Sequence, residues 1–297
     1  MHINRVARRL KKIFRGWLAA HAEGSRIQFE YEQLRQLQLT SDYLMSILYL
    51  QRESKNPLES YGRKIFSQSD EDGITLEICR RIGISARTCL EIGCGNGLEN
   101  NTLVLLAHGW KAIWFDGVPL AFDANISPNR LYHSQQFVTR ENLMELVGLV
   151  PQDPNDQIEL ISVDIDGNDG YLVEEFLING VMPSVYIVEI NEVFPPPIVF
   201  KQKYLSDHIW DHSRNYGWSL QAYINLFARY GYQLVACNPQ TGVNAFFVRS
   251  DQLENFADVP TDIDHLFVGR SIHPFKYRDH KLEFDAATIA HMIRGLD

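Results

Sequence analysis

The sequence predicts a doubly wound, Rossmann-like α/β fold: a seven-stranded, mostly parallel sheet ending in an antiparallel hairpin, with an N-terminal helical extension. Three observations lead there. Short β-rich apolar runs alternate with amphipathic segments of helical spacing, as in a parallel sheet covered on both faces. A glycine cluster, "EIGCGNG", follows the first of those runs and leads at once into a helix. The last two runs, "YQLVACN" and "NAFFVRS", are joined only by "PQTGV", which leaves no room for a crossover helix and requires a hairpin.

Taken from the N-terminus, residues 3–20 interleave Arg5, Arg8, Arg9, Lys11, Lys12 and Arg15 with Val6, Leu10, Ile13, Phe14, Trp17 and Leu18 at the spacing of one helical face. Two readings stay open for this basic amphipathic helix. One is a peripheral contact with anionic lipid at the inner face of the membrane. The other is an arm against the body or a second subunit, giving a homo-oligomer through the N-terminal helices. A cleaved secretory signal is not expected, because charges interrupt the apolar residues throughout. A second helical stretch runs from Ser25 to about Ser54, and Pro57 closes it.

The core strands are then "TCLEIG", "KAIWFDG", "QQFVT", "IELISVDI" and "SVYIVEI", each separated by a helical segment, followed by the hairpin. The organisation is an extension at 1–58, a core domain at 59–250 and a tail at 251–297 packing on the core. With 297 residues and 45% hydrophobic content the chain can bury a full core. A net charge of -9 argues against a nucleic-acid partner, since no general positive field would collect phosphates. The four cysteines show no C-x-x-C spacing, which fits a reducing cytoplasm better than zinc or a secreted scaffold.

The glycine loop reads E-x-G-x-G-x-G, from Glu91 through Gly93, Gly95 and Gly97, and differs from the dinucleotide pattern because Leu98 stands where a third small residue would. The next strand ends in Asp116, 19 residues past Gly97 (116 minus 97), where a doubly wound fold places the carboxylate that grips ribose hydroxyls.

"EIGCGNG", Asp116, five parallel strands and a final antiparallel hairpin are similar to class I S-adenosylmethionine-dependent methyltransferases. Within that group, "FSQSDEDG", "VDIDGND" and "NEVFPPP" resemble FkbM-type and related bacterial enzymes found beside sugar and polysaccharide biosynthesis. The resemblance covers Phe66 to Ser250. It implies S-adenosylmethionine as cofactor, with Glu91, Gly93, Gly95, Gly97 and Asn101 along its methionine and ribose part and Asp116 on both ribose hydroxyls. Arg140, Glu141 and Asn142 would lie beside the adenine, the alternative being a helix cap built on Thr139. Gln68 and Asp72 would close over the cofactor, the alternative being a cap on the "DGITLEICRRI" helix.

"SVDIDGNDGYLVEE" places Asp164, Asp166 and Asn168 at positions 1, 3 and 5 of a calcium-loop frame ending in Glu175. The frame fails, because its sixth position is Asp169 rather than glycine and a strand precedes it. Asp164 and Asp166, two apart on extended backbone at the end of the fourth strand, instead face one site. There they could take a proton from an attacking hydroxyl, with Asp166 the first candidate and His212 a weaker one, or cap the following helix. Asp164 also belongs to the implied cofactor set. Related sugar O-methyltransferases hold magnesium with aspartates from the ends of the fourth and fifth strands; here the fifth ends in Glu189 and Asn191, so the candidate ion site is Asp164, Glu189 and Asn191.

The segment from Asn191 to about Trp218 is long for a connection and rich in aromatics, His208 and His212, which suits either a saccharide-binding loop or a plain hydrophobic lid. The expected activity is methyl transfer to a hydroxyl of a saccharide or glycosylated metabolite. The alternatives are a non-catalytic assembly or membrane-associated protein using the same fold, and methylation of nitrogen or protein. DNA and amide targets lose ground because "DIDGND" stands where "NPPY" or "DPPY" would.

Overall fold

β1 (Thr88–Ile92) lies between β2 (Lys111–Asp116) and β4 (Ile158–Val163) in a seven-stranded sheet of order β3-β2-β1-β4-β5-β7-β6. β3 is Leu131–Gln135, β5 Val185–Glu189, β6 Tyr232–Cys237 and β7 Asn244–Arg249. β1 to β5 pair in parallel, whereas β7 inserts antiparallel between β5 and β6. The order reverses between β1 and β4, and that switch point opens a crevice at the carboxyl ends of the strands. This is the α/β architecture expected from the sequence.

This computed structural model describes residues 55–85, 87–150, 157–211, 213, 215–269, 275–278 and 281–284, with Gln33, Leu34 and Leu37. The chain divides into two units, Met1–Glu53 and Ser54–Asp297. The three residues described in the first unit are helical, and the basic helix expected at 3–20 lies outside the described residues. Among the described residues no helix is long and apolar enough to cross a membrane.

The central strands form because nearly every side chain in them is buried: β1 is covered along its length, as are Ala112 to Phe115 of β2 and Val185 to Val188 of β5. Each large apolar side chain so buried stabilises the fold by roughly 1.5–3 kcal/mol. Helix α1 (Glu71–Arg81) buries Ile74 and Ile78, and α2 (Leu103–Ala107) is stopped by Gly109 at φ 96°. After them come α3 (Leu143–Gly148), α4 (Asp169–Ile178) and α5 (Leu220–Ala228). In α5 the Ser219 Oγ caps the helix by accepting from the Ala222 N–H at 3.3 Å. Beyond β7, a 3-10 turn at Ser250–Phe256 and helix α6 (Ile263–Leu266) bury Phe256, Val259, Leu266 and Val268. A two-stranded hairpin follows, β8 (Phe275–Arg278) with β9 (Lys281–Phe284). All four cysteines are free and buried.

Two expectations need correction. The third strand is not "QQFVT" but "LYHSQ", four residues earlier, and β2 connects to it through a 3-10 turn at Ala124–Ile126 rather than a helix. β3 pairs with β2 alone at the sheet edge, so it tolerates the half-buried polar residues His133 and Ser134. The apolar pair Phe137 and Val138, which mimics a strand in the sequence, lines a cavity instead.

Candidate functional site

A cavity of about 750 Å³ opens at the switch point, over the ends of β1, β2, β4 and β5. Its first wall is the glycine loop. Gly93 sits at φ 91°, and a Cβ there would lie 1.5 Å from the Asp164 carbonyl oxygen, so only glycine lets the loop after β1 pass against the end of β4. Gly95 donates its N–H to Asp116 Oδ2 at 2.7 Å, and Val118 donates to Asp116 Oδ1 at 2.9 Å. Gly97 turns away from the cavity, because a Cβ there would meet Leu120 at 2.6 Å.

Glu91 is buried beneath this loop, and burial raises its carboxyl above the ordinary range. It accepts from the Asn101 N–H (2.8 Å), the Thr102 N–H (3.0 Å), the Thr102 hydroxyl (2.5 Å) and the Asn100 amide (2.6 Å). Glu91 therefore holds the start of α2 in place. Asn101, which also lines the cavity, donates its amide to Ser162 Oγ at 3.2 Å.

The residues expected beside an adenine divide. Glu141 lies at the surface, accepting from the Tyr204 hydroxyl at 2.6 Å, and Arg140 pairs with Glu175 at 2.8 Å. Asn142 and Thr139 cap α3 reciprocally: the Thr139 N–H donates to Asn142 Oδ1 at 2.8 Å and the Asn142 N–H to Thr139 Oγ1 at 3.3 Å. Arg140, Glu141 and Asn142 do not line the cavity, whereas Gln136, Phe137 and Val138 do, with Val118 from just beyond β2. Gln68 lines the cavity. Asp72 does not; its Oδ2 accepts from the N–H groups of Ile65, Phe66 and Ser67, the capping alternative.

Asp164 and Asp166 both line the cavity. Asp166 is the sole non-glycine residue among those described with positive φ, at 56°, a conformation that concentrates at functional sites and that aspartate tolerates better than most. That turn brings Asp169, at the start of α4, back toward the strand end, where its Oδ1 accepts from the Ile165 N–H (2.6 Å) and its Oδ2 from the Gly167 N–H (2.7 Å). Carboxylate oxygens of Asp164, Asp169 and Glu189 lie within 4.8 Å of one another. Burial raises Asp169 to about 6. Asp164 and Glu189 stand well above the carboxylate range, first from burial and then from the charges of this cluster. Asn191, expected in this set, is turned elsewhere: its amide donates to the Tyr216 carbonyl at 2.8 Å and its Oδ1 accepts from the Val193 N–H at 3.1 Å. Asp169 completes the close group of carboxylates, a proximity that spacing alone did not suggest.

The long connection after β5 covers one side. Its Phe194 and Phe200 rings stack at 4.0 Å, and His208, Ile209 and Trp210 reach the cavity. The His208 ring sits on Gly167, where a Cβ would lie 2.3 Å from its Cδ2, and its Nε2 lies 3.3 Å from the Asp166 carbonyl. The Asn168 amide donates to the Leu205 carbonyl at 2.7 Å and the Tyr171 hydroxyl to the Gln202 carbonyl at 2.7 Å. These contacts tie the lid to the turn carrying Asp166. His212 lies outside the described residues.

No family model matches the chain, and no curated protein matches it. Among solved structures it is similar to a candidate hemolysin from Lactococcus lactis (14% identity, TM-score 0.38, covering 63% of this chain and 90% of that one). It is similar to an O-methyltransferase family protein from Burkholderia thailandensis (11%, TM-score 0.34, covering 59% of this chain and 56% of that one). It is also similar to 1,6-didemethyltoxoflavin-N1-methyltransferase from the same organism, solved with 1,6-didemethyltoxoflavin and S-adenosylhomocysteine (10%, TM-score 0.34, covering 72% of this chain and 85% of that one). Likenesses this distant bear on neither the reaction nor the substrate of this chain.

Proposed function

We propose that the chain is an S-adenosylmethionine-dependent methyltransferase acting on a hydroxyl of a saccharide or glycosylated metabolite. The observation that supports this most is the convergence, in one cavity at the switch point, of the glycine loop, the Asp116 carboxylate and the Asp164–Asp166 turn. The cofactor suits these residues. The loop backbone passes close beneath the space, each Asp116 oxygen keeps a lone pair beyond its single loop contact, and Val118 and Phe137 offer apolar surface for a purine.

When bound, the cofactor supplies a methyl group on a positively charged sulfur. Asp166, exposed within the cavity, would accept the proton that an acceptor hydroxyl gives up as it is methylated. Ile209 and Trp210 would flank the acceptor at the cavity wall, so that most of the rate would come from positioning.

A second reading gives a magnesium ion to Asp164, Asp169 and Glu189. Hard oxygen donors within 4.8 Å favour it, as does Glu189 Oε2, which is buried without a hydrogen-bond partner. An ion there would acidify a bound hydroxyl.

The test is calorimetry with S-adenosylhomocysteine, followed by incubation with methyl-labelled S-adenosylmethionine and fractionated cellular glycans. Binding with label in a saccharide fraction is expected. Absence of binding would sink the cofactor assignment, and label confined to protein or nucleic acid would sink the acceptor class.

A further inference from the structure

Six carboxylates line the cavity, those of Glu91, Glu99, Asp116, Asp164, Asp166 and Glu189, and among the described residues no lysine or arginine lines it. Three asparagines beside them, Asn100, Asn168 and Asn244, are 5%, 3% and 2% exposed, and each has its Oδ1 buried without a partner. Which end of each amide is free is set by its surroundings. The Asn100 nitrogen donates to Glu91 at 2.6 Å, that of Asn168 to the Leu205 carbonyl at 2.7 Å, and that of Asn244 to Glu71 at 3.2 Å. Since those partners only accept, the oxygens are the ends left without a partner.

Glu189 Oε2 is a fourth buried oxygen with no donor, and the β5–β7 register sets Glu189 directly opposite Asn244. Asn168 follows the Asp164–Asp166 turn on the other side. Buried acceptors of Glu189, Asn168 and Asn244 thus stand at the inner end of the cavity, at β4, β5 and β7, where a ligand rich in N–H or O–H groups can satisfy them. A phosphate or carboxylate placed there would add like charge in a low-dielectric site and donate nothing.

Building on the methyl-transfer reading, we propose that the acceptor subsite selects an uncharged or cationic polyol or amino-polyol through Glu189, Asn168 and Asn244, and rejects phosphorylated and carboxylated acceptors. Selectivity then comes from buried oxygens left unpaired by the wrong ligand as much as from repulsion.

The test uses the full chain with S-adenosylhomocysteine, in EDTA at neutral pH. Four probes share one ring: glucosamine, glucose, glucuronate and glucose 6-phosphate, with binding read by saturation-transfer NMR. Glucosamine and glucose are expected to bind, and the two anionic probes to bind more weakly than glucose by about tenfold or more. The proposal is overturned if either anionic probe binds as well as glucose, if none of the four binds, or if added magnesium restores anionic binding. Failure of S-adenosylhomocysteine itself to bind overturns the methyl-transfer reading and this proposal together; cofactor-product binding with the wrong probe order overturns this proposal alone.

Discussion

The Gly95 N–H meets the Asp116 carboxylate across 2.7 Å, so the tip of the loop after β1 is fixed by the last residue of β2. One side chain builds two walls of the cavity. Asp116→Ala removes both the loop anchor and the proposed ribose acceptor. Charged hydrogen bonds contribute about 1.5–3 kcal/mol each, so S-adenosylhomocysteine affinity should fall by about tenfold or more in calorimetry. Wild-type affinity in this variant would remove Asp116 from the cofactor wall.

Asp166→Asn should leave cofactor binding intact, because asparagine also tolerates the left-handed backbone at φ 56°. Turnover with methyl-labelled cofactor should fall by about a hundredfold or more, the usual contribution of a positioned base. Retained turnover would assign the proton to another group, His208 being next at hand.

Glu91 spends its carboxylate on four donors at the start of α2. Glu91→Ala strands those donors, and urea denaturation should show a loss of about 2–4 kcal/mol, with Glu91→Gln recovering part of it. A loss below about 1 kcal/mol would mean that the loop is held by other contacts.

The acid cluster sets a pH dependence opposite in sign to that of paired surface carboxylates. Asp169, raised from 3.8 to about 6, binds its proton more tightly in the folded state. Its contribution is therefore full below the ordinary range and is lost as pH rises through about 6. Asp164 and Glu189, raised well above their ordinary values, extend the loss to higher pH. Glu77, Asp251 and Asp258, lowered by Arg80, Arg249 and Arg81 respectively, act the other way and lose their contribution only as pH falls below the carboxylate range. In EDTA, the stability of Glu189→Gln relative to wild type should grow with pH between about 5 and 8, read from urea midpoints. Parallel curves for the two proteins would show that Glu189 titrates normally.

Gly167→Ala drives a methyl group to within 2.3 Å of the His208 ring. Overpacking of this kind costs about 1–3 kcal/mol, and displacing His208 should speed tryptic cleavage at Lys201 and Lys203 on the lid. Unchanged cleavage would assign the lid's anchorage to Asn168 and Tyr171 alone.

The sheet was legible because β1, β2, β4 and β5 are covered on both faces and read as short apolar runs with known flanks. β3 was not, since an edge strand can be polar while Phe137 and Val138 serve the cavity. In the site, Asp116 followed from its distance past the glycine loop, and Asp164 and Asp166 from their place at a strand end. Asp169 was hidden because its role depends on the reversal at Asp166, which no spacing rule encodes. Asn244 faces Glu189 only through the antiparallel register, a pairing between residues far apart in sequence. Glu141 and Asn142 matched an expected position but found partners outside the cavity, the competition with local caps that short polar side chains face.

The four cysteines lie wholly inside the fold, and burial lifts the thiol of Cys79 to about 12 and those of Cys89 and Cys94 higher still. With so little thiolate formed near neutral pH, the folded chain should be nearly silent to maleimides. A single surface change such as Lys203→Cys would then stand as its one reactive handle, and a fluorophore or spin label placed there could time the opening of the lid without first stripping the native sulfurs from the core.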